Sequence, residues 1–253
     1  MRHGLSSLPV IWSDGKRFRP SRTLAGVPFL RLSGRSEYDM LTNNMYKPLQ
    51  ALLRYRRLLR WKSVISRVTI RNGMNVIDVG CGKNGRSVSD YAPANWKITG
   101  IDLHEPHEVV HSHANFRYVK CDARDLSQFR DGSFDLCISI GMFEHVVNRS
   151  DYMAIANEIE RVARQYIVVV PYKYCVIEPH FGVPFLPLMP YSVQVIIIKM
   201  LNLSKERQNL VLDPNYLRNN LVWHSNSAYR KIFPSSEIYL LPTLDTIAIV
   251  RKD

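Results

Sequence analysis

The sequence has few cysteines, and they are not arranged as metal ligands. Its four cysteines, Cys81, Cys121, Cys137 and Cys175, show neither a C-x-x-C pair nor a Cys/His spacing typical of zinc, so we expect no metal site. Each cysteine lies within or beside an apolar run, where a free thiol packs as a small core residue. This usage indicates a reducing compartment and predicts a cytoplasmic protein.

Long apolar segments are missing as well. No stretch gives about 18 uninterrupted apolar residues, so we expect no transmembrane helix. Residues 1–12 contain no long apolar region, which argues against a signal peptide. With 46% hydrophobic and 22% charged residues, the 253-residue chain has the composition of a globular protein and ample length for a core.

Acidic residues are absent between Lys47 and Arg71, although eight Lys and Arg residues lie there and contribute +8 to the net charge of +12. The pattern at 46–60 is helical, with an apolar face that comprises Ala51, Leu52, Tyr55, Leu58 and Leu59. Because like charges repel at helical spacing, an external anion would stabilise the basic side of this helix. Basic surface of this kind suits nucleic acid, acidic lipid or a phosphorylated substrate.

We expect residues 47–71 to make peripheral contact with an anionic membrane, so that the protein is cytoplasmic and membrane-associated. Nucleic acid is a less favoured partner, since only Tyr55 and Trp61 are available to stack on bases. A solvated basic helix that only keeps the protein soluble is the alternative.

One stretch joins an apolar run to three glycines. Residues 76–85 read Val-Ile-Asp-Val-Gly-Cys-Gly-Lys-Asn-Gly. The apolar run predicts a buried parallel strand, and the glycines let the chain turn sharply and let a ligand approach bare backbone. A helix that begins after the glycines would direct its free N–H groups at that ligand. Alone, the pattern is shared by several cofactor-binding classes and by plain tight turns.

Strand and helix signals alternate after this stretch. Further strands are predicted at 96–102, 116–122, 134–140 and 166–170, and a helix at 150–165 with Ser150 or Asp151 as its N-cap. Residues 238–241 and 246–250 read as an antiparallel hairpin. The predicted fold class is α/β: a doubly wound, mostly parallel seven-stranded sheet with an antiparallel C-terminal hairpin.

Two segments depart from this alternation. Residues 1–45 contain frequent Gly and Pro and are predicted to form an N-terminal arm, which leaves 46–253 as the main domain. The proline-rich stretch 173–213, with an apolar helix from Tyr191 to Leu203, interrupts that domain directly after the fifth strand. An insertion of this length is typical of a functional lid.

Five motifs occur in order along the chain: Val-Ile-Asp-Val-Gly-Cys-Gly at 76–82, Gly-Ile-Asp at 100–102, Cys-Asp-Ala-Arg-Asp-Leu at 121–126, Asp-Gly-Ser-Phe-Asp-Leu at 131–136 and Phe-Glu-His-Val at 143–146. Together they resemble the S-adenosylmethionine-dependent methyltransferases of the Rossmann-like class, and within them the subfamily called methyltransferase type 11. The resemblance covers roughly residues 70–170. It departs from the family at the third glycine position, where Asn84 stands and Gly85 follows.

The resemblance implies a site for S-adenosyl-L-methionine, a sulfonium that carries an amino acid at one end and adenosine at the other. Gly80 and Gly82, with Cys81 between them, would let the backbone approach this cofactor. Asp78 would meet its cationic amino group. Asp102 would accept the ribose hydroxyls, as the carboxylate of a dinucleotide fold does.

The remaining predicted contacts follow the second, third and fourth strands. Leu103 follows Asp102, and Asp122 would take the adenine amine while the N–H of Ala123 faces a ring nitrogen. The backbone at Ser139 would form the floor of the pocket. Three acids at three consecutive strand ends favour a ligand site over simple turn or cap roles.

Two histidines are candidates for the general base that an alcohol or phenol acceptor needs. His145 lies beside the fourth strand, and His180 lies in Ile-Glu-Pro-His-Phe just past the fifth. The alternative for His145 is a structural hydrogen bond. Glu178 either orients His180 or lies at the surface.

The sequence also lacks an Asn/Asp-Pro-Pro-aromatic segment after the fourth strand, where Ser139-Ile140-Gly141-Met142 stands. This absence argues against base N-methylation. We therefore expect an S-adenosylmethionine-dependent O-methyltransferase that acts on a small molecule, glycan or lipid-linked acceptor. An RNA methyltransferase and a non-catalytic cofactor-binding scaffold are the alternatives.

Overall fold

The structure is a computed structural model of the chain. It describes residues 51–52, 54–83, 88–111, 113–178, 180–201, 213 and 215–252. The predicted N-terminal arm, Asn84 and Gly85 lie outside this range.

Seven strands form one sheet. They are β1 (Asn75–Val79), β2 (Lys97–Asp102), β3 (Phe116–Lys120), β4 (Phe134–Ile140), β5 (Ala163–Pro171), β6 (Glu237–Leu240) and β7 (Thr246–Arg251). Their spatial order is β3-β2-β1-β4-β5-β7-β6. The first five are parallel, whereas β7 pairs antiparallel with both β5 and β6. The predicted fold class is therefore confirmed, including the antiparallel hairpin.

Alternate residues of the central strands pack into two separate cores, one on each face of the sheet. Ile77 and Val79 of β1 pack on one face, against helix α2 (Arg149–Val162). Val76 packs on the other face, against Trp61 and Val64. A parallel strand with both faces covered is expected to read as a continuous apolar run, which is why β1 was recognisable.

Helix α2 begins and ends earlier than the sequence predicted. Ile155, Ile159 and Val162 are buried, as their spacing indicated. The N-cap prediction was wrong, because Asn148 occupies the N-cap position and both Ser150 and Asp151 are inside the helix. The C-terminal end also moves, since the backbone is already extended at Ala163 and enters β5 there.

Residues 51–52 and 54–65 are helical, and we name this helix α1. It continues five residues past its predicted end at Arg60. Its apolar face differs from the prediction, because Leu52 and Tyr55 are 54% and 58% exposed while Trp61 and Val64 are buried against the sheet. The residues that determine which face of α1 is covered lie near its C-terminal end, beyond the segment 46–60 from which the face was predicted.

The insertion after β5 has a small core of its own. It contains α3 (Tyr191–Met200). Two further helices follow it, α4 (Tyr216–Asn220) and α5 (Asn226–Ile232), and α5 packs in the sheet core that contains α2. Phe181, Leu186 and Ile198 pack with Leu217 and Leu221 in a cluster apart from the two sheet cores. Residues 202–212 lie outside the described range, and opening or closing of this insertion as a lid stays a prediction.

Candidate active site

Asp102 holds the glycine loop in place. At the end of β2, its Oδ2 accepts a hydrogen bond from the Gly82 N–H at 2.8 Å, and its Oδ1 accepts one from the Leu103 N–H at 2.7 Å. The Gly80 and Cys81 N–H groups both donate to the Ile101 carbonyl, at 2.9 and 3.1 Å. An ionised carboxylate has about four acceptor positions, so Asp102 retains capacity for the predicted ribose hydroxyls.

Glycine is required at position 80 both by the backbone conformation and by the lack of space for a side chain. Its φ is +76°, a left-handed conformation that side chains rarely adopt. A Cβ atom at this position would lie 2.5 Å from Cγ of Met142, in the loop after β4. The loops that follow β1 and β4 are therefore in close contact, which brings the glycine loop next to the segment that contains Glu144.

Asp78 is a buried carboxyl group at the end of β1. It is 2% exposed, and its Oδ2 has no hydrogen-bond partner among the described residues. Burial, with a smaller contribution from the Asp102 charge, raises the pKa of Asp78 to about 8. An orphan buried carboxyl oxygen needs a partner, and a ligand ammonium group would supply one.

The hydroxyl of Ser139 in β4 is similarly buried and without a hydrogen-bond partner among the described residues. Cys81 is buried against the sheet, and burial raises the pKa of its thiol, so it remains protonated. Leu103, in contrast, is 65% exposed.

Asp122 is engaged by a neighbour. Its carboxylate accepts hydrogen bonds from Nε and Nη2 of Arg124, and these bonds lower the pKa of Asp122. The adjacent Ala123 packs against the core that contains α2. The contact of Asp122 with adenine stays a prediction, and it requires the Asp122 carboxylate to bind the adenine amine and Arg124 at the same time. The contact of the Ala123 N–H with a ring nitrogen also stays a prediction.

Four side chains that follow β4 and β5 form a second cluster. Glu178 is fully buried, and its Oε1 lies 2.7 Å from Nδ1 of His180. Its Oε2 accepts hydrogen bonds from the N–H groups of His180 and Phe181, at 2.7 and 2.8 Å. Of the two roles that the sequence left open for Glu178, the structure therefore shows the one that orients His180.

Glu144 and His145 complete this cluster. Oε1 of Glu144 lies 3.7 Å from Nε2 of His180, and the His145 and His180 rings are 6.0 Å apart at nearly a right angle. Nδ1 of His145 is 3.0 Å from the Asn220 carbonyl oxygen, the structural hydrogen bond considered for this residue. Burial raises the pKa of Glu144, an effect that His145 and His180 oppose.

Glu144 lies in the Phe-Glu-His-Val motif but was not among the residues predicted to form the site. Its carboxylate is 4% exposed and Oε2 has no hydrogen-bond partner among the described residues. Only the tertiary fold, which brings the β4 loop beside the insertion, shows that this acid faces two histidines.

Comparisons with known proteins agree with the family that the sequence motifs resemble. Residues 77–168 match the family model described as "Methyltransferase domain". The chain is 23% identical over 181 residues to cyclopropane-fatty-acyl-phospholipid synthase of Escherichia coli. The aligned region covers 62% of this chain and 46% of that protein. It is 30% identical over 93 residues to ubiquinone biosynthesis O-methyltransferase of Nitrosococcus oceani, covering 34% and 39%.

Among solved structures, one chain of the complex between the Haloferax volcanii Trm112 methyltransferase activator and a methyltransferase is 17% identical, with a TM-score of 0.49. That match covers 86% of this chain and 98% of the other. The chain spans less than half the length of the two curated relatives above.

The sheet order and the glycine loop have the Rossmann-like arrangement, and residues 77–168 match the methyltransferase domain family. The cofactor that this match indicates is S-adenosyl-L-methionine. The resemblance stated from sequence is thereby confirmed.

Proposed function

We propose that this protein transfers the methyl group of S-adenosyl-L-methionine to an oxygen atom of a small-molecule, glycan or lipid-linked acceptor. The observation that carries the proposal is the placement of a Glu–His pair beside the glycine loop. Gly80 contacts Met142 of the β4 loop, and two residues further on Glu144 faces His180. A cofactor held by the loop would thus have an acceptor-side base as its neighbour.

The chemistry needs little from the protein beyond positioning and proton transfer. The methyl carbon of a sulfonium is already activated, so an in-line attack by the acceptor oxygen breaks the carbon–sulfur bond directly. As the oxygen–carbon bond forms, the acceptor proton passes to Nε2 of His180. Glu178 holds the opposite nitrogen, Nδ1, and keeps the ring in one orientation.

An apolar acceptor is supported by the surface of the insertion. Nine of its described side chains are large, hydrophobic and exposed: Tyr174, Val176, Ile177, Phe185, Leu188, Val193, Ile196, Met200 and Leu201. Concentrations of exposed apolar surface mark binding sites for lipids or proteins. The names of the two relatives refer to a fatty-acyl phospholipid and to ubiquinone, which agrees with a lipid-like acceptor.

The proposed location is supported by the basic residues at 47–71. No helix among the described residues is both long and apolar enough to cross a bilayer. We propose a cytoplasmic protein that reaches lipid acceptors by peripheral contact through residues 47–71.

The deciding experiment incubates the purified protein with methyl-labelled cofactor and a cell extract separated into lipid, small-molecule and RNA fractions. Label in the lipid or small-molecule fraction supports the proposal. Label in RNA would instead support an RNA methyltransferase. Binding of S-adenosylhomocysteine without any labelled product would leave a non-catalytic cofactor-binding scaffold.

Once an acceptor is known, His180→Ala should lower kcat about 100-fold or more at saturating cofactor, the range for loss of a general base. Glu178→Gln should lower it less and change the pH profile, because the ring keeps its position but loses its charged partner. His107→Ala, at an exposed site, is the matched control. Unchanged turnover and pH dependence in His180→Ala would remove His180 from the mechanism.

A further inference from the structure

The cluster after β4 and β5 has the donor set of a transition-metal site. One ligand atom from each of Glu144, His145 and His180 lies within 4.8 Å of the others. Two imidazoles and one carboxylate are the protein ligands of catalytic zinc sites and of non-haem iron sites, both of which keep open positions. No metal site was expected from sequence, because the ligands are a Glu-His pair and a histidine 35 positions later, on a separate segment.

Both histidines are already oriented as metal-ligating histidines usually are. Nδ1 of His180 lies against the Glu178 carboxylate, and Nδ1 of His145 lies against the Asn220 carbonyl. A ligating histidine typically donates its other ring N–H to a carboxylate or a backbone carbonyl, which fixes the tautomer and aims the second nitrogen. This arrangement assigns Nε2 of each ring as the ligand atom.

Glu144 supplies an independent indication that a cation belongs here. Its side chain is 4% exposed, and Oε2 has no hydrogen-bond partner among the described residues. Leaving a buried carboxylate oxygen unpartnered is costly, and a coordinated ion would satisfy it. Two ligands of a tetrahedral zinc, each about 2.0–2.1 Å from the ion, are about 3.4 Å apart, which is close to the 3.7 Å between Glu144 Oε1 and His180 Nε2.

We propose that Glu144, His145 and His180 bind one divalent transition-metal ion of the zinc type. The site does not depend on methyl transfer, since its ligands are all provided by this chain. Metal binding and proton acceptance compete for Nε2 of His180, so the base role proposed above applies to the metal-free protein. A metal-loaded protein would instead present an ion with open positions to an acceptor oxygen beside the glycine loop.

The test uses the full chain, freed of metal with a chelator and titrated by calorimetry with Zn²⁺ and, separately, with Co²⁺ followed by its visible spectrum. We expect one Zn²⁺ per chain and a Co²⁺ spectrum of low coordination number. Mg²⁺ should not bind at the same concentrations, because it prefers an all-oxygen octahedral site.

Variants separate this site from adventitious binding to surface histidines. His145→Ala and Glu144→Gln should each weaken Zn²⁺ binding by more than the roughly 10–100-fold that loss of a supporting residue costs, and Glu178→Gln should fall within that range. His107→Ala should bind like the parent. Thermal melting of each metal-free variant checks folding. Because His145 is exposed, its replacement is the one least able to disturb the fold.

Unchanged Zn²⁺ affinity in His145→Ala and Glu144→Gln, or no binding of Zn²⁺ and Co²⁺ at micromolar concentration, would overturn the proposal. S-adenosylhomocysteine binding, measured on the same metal-free samples, reports on the cofactor site separately. Failure of the metal site and failure of the proposed function would therefore be distinguished.

Discussion

Individual carboxylates differ sharply in role although the sequence places all of them at strand ends. Asp102 accepts a hydrogen bond from the Gly82 N–H of the glycine loop and one from its neighbour Leu103, Asp78 is buried with an orphan oxygen, and Asp122 is paired with Arg124. Cofactor binding should therefore respond differently to the loss of each. Asp102 and Asp78 allow the sharpest tests.

Asp102→Ala should weaken binding of S-adenosylhomocysteine by roughly 1.5–3 kcal/mol, because the ribose hydroxyls lose a charged acceptor. The loop also loses the bond from the Gly82 N–H. Isothermal titration calorimetry on wild type and variant measures the difference, with exposed Asp131→Ala as control. A wild-type protein that binds NADH and not S-adenosylhomocysteine would contradict the cofactor assignment.

Asp78 predicts a pH dependence of binding. With a pKa of about 8, its carboxyl is protonated at neutral pH in the unliganded protein, whereas a ligand ammonium favours the ionised form. Binding below pH 8 must therefore release a proton, and affinity should rise toward pH 8 by up to about tenfold per pH unit.

Calorimetry between pH 6 and 8, in buffers of different ionisation enthalpy, measures both the affinity and the released proton. Asp78→Asn should remove the pH dependence while keeping the shape of the side chain. A wild-type affinity that is flat over this range would show that Asp78 does not face the ammonium group.

At the scale of elements, helix α1 is tied to the C-terminal hairpin by a buried acid. Asp245, in the turn between β6 and β7, is 3% exposed, and its Oδ2 lies 2.8 Å from Arg56 and 3.7 Å from Arg60. These arginines thus have an acidic partner nearly 190 positions away, so the repulsion that an external anion was expected to relieve is already reduced within the chain. Burial lowers the pKa of Arg60, an effect that Asp245 opposes.

Asp245→Asn should lower the free energy of unfolding by about 3 kcal/mol, the lower end of the range for breaking a buried pair, since Arg56 is partly exposed. Urea unfolding provides the measurement. Asp131→Asn, whose carboxylate is 81% exposed beside Arg161, should change stability by less than about 1 kcal/mol. Equal effects in the two variants would argue against a stabilising role for the Asp245 pair.

The sheet could be predicted because its strands are short apolar runs bounded by turn residues. The positions of Gly80 and Asp102 followed from the same strand ends. Contacts between distant segments could not be predicted. They include the pairing of Arg56 with Asp245, the packing that leaves Leu52 and Tyr55 exposed, and the approach of Glu144 to His180. No local pattern encodes such contacts, because each depends on two segments that meet only after folding.

At the scale of the whole molecule, the net charge of +12 and the exposed apolar side chains of the insertion set the expected partner. Pairing with Asp245 withdraws Arg56 and Arg60 from the outer surface, which leaves Arg54, Arg57 and Lys62 as the exposed cations of α1. Membrane contact through residues 47–71 should therefore be weaker than the full count of eight basic residues suggests.

We expect the protein to co-sediment with vesicles that contain acidic lipid at low salt and less at physiological salt, each surface cation contributing about 1 kcal/mol. The triple variant Arg54→Glu, Arg57→Glu and Lys62→Glu should lose this binding. A control with the same charge change at exposed positions elsewhere, Arg117→Glu, Arg130→Glu and Arg164→Glu, should retain most of it. Binding that does not depend on lipid charge would leave α1 as a solvated basic helix. Equal loss of binding in both triple variants would do the same, because the two variants change the net charge equally and differ only in where the substituted residues lie.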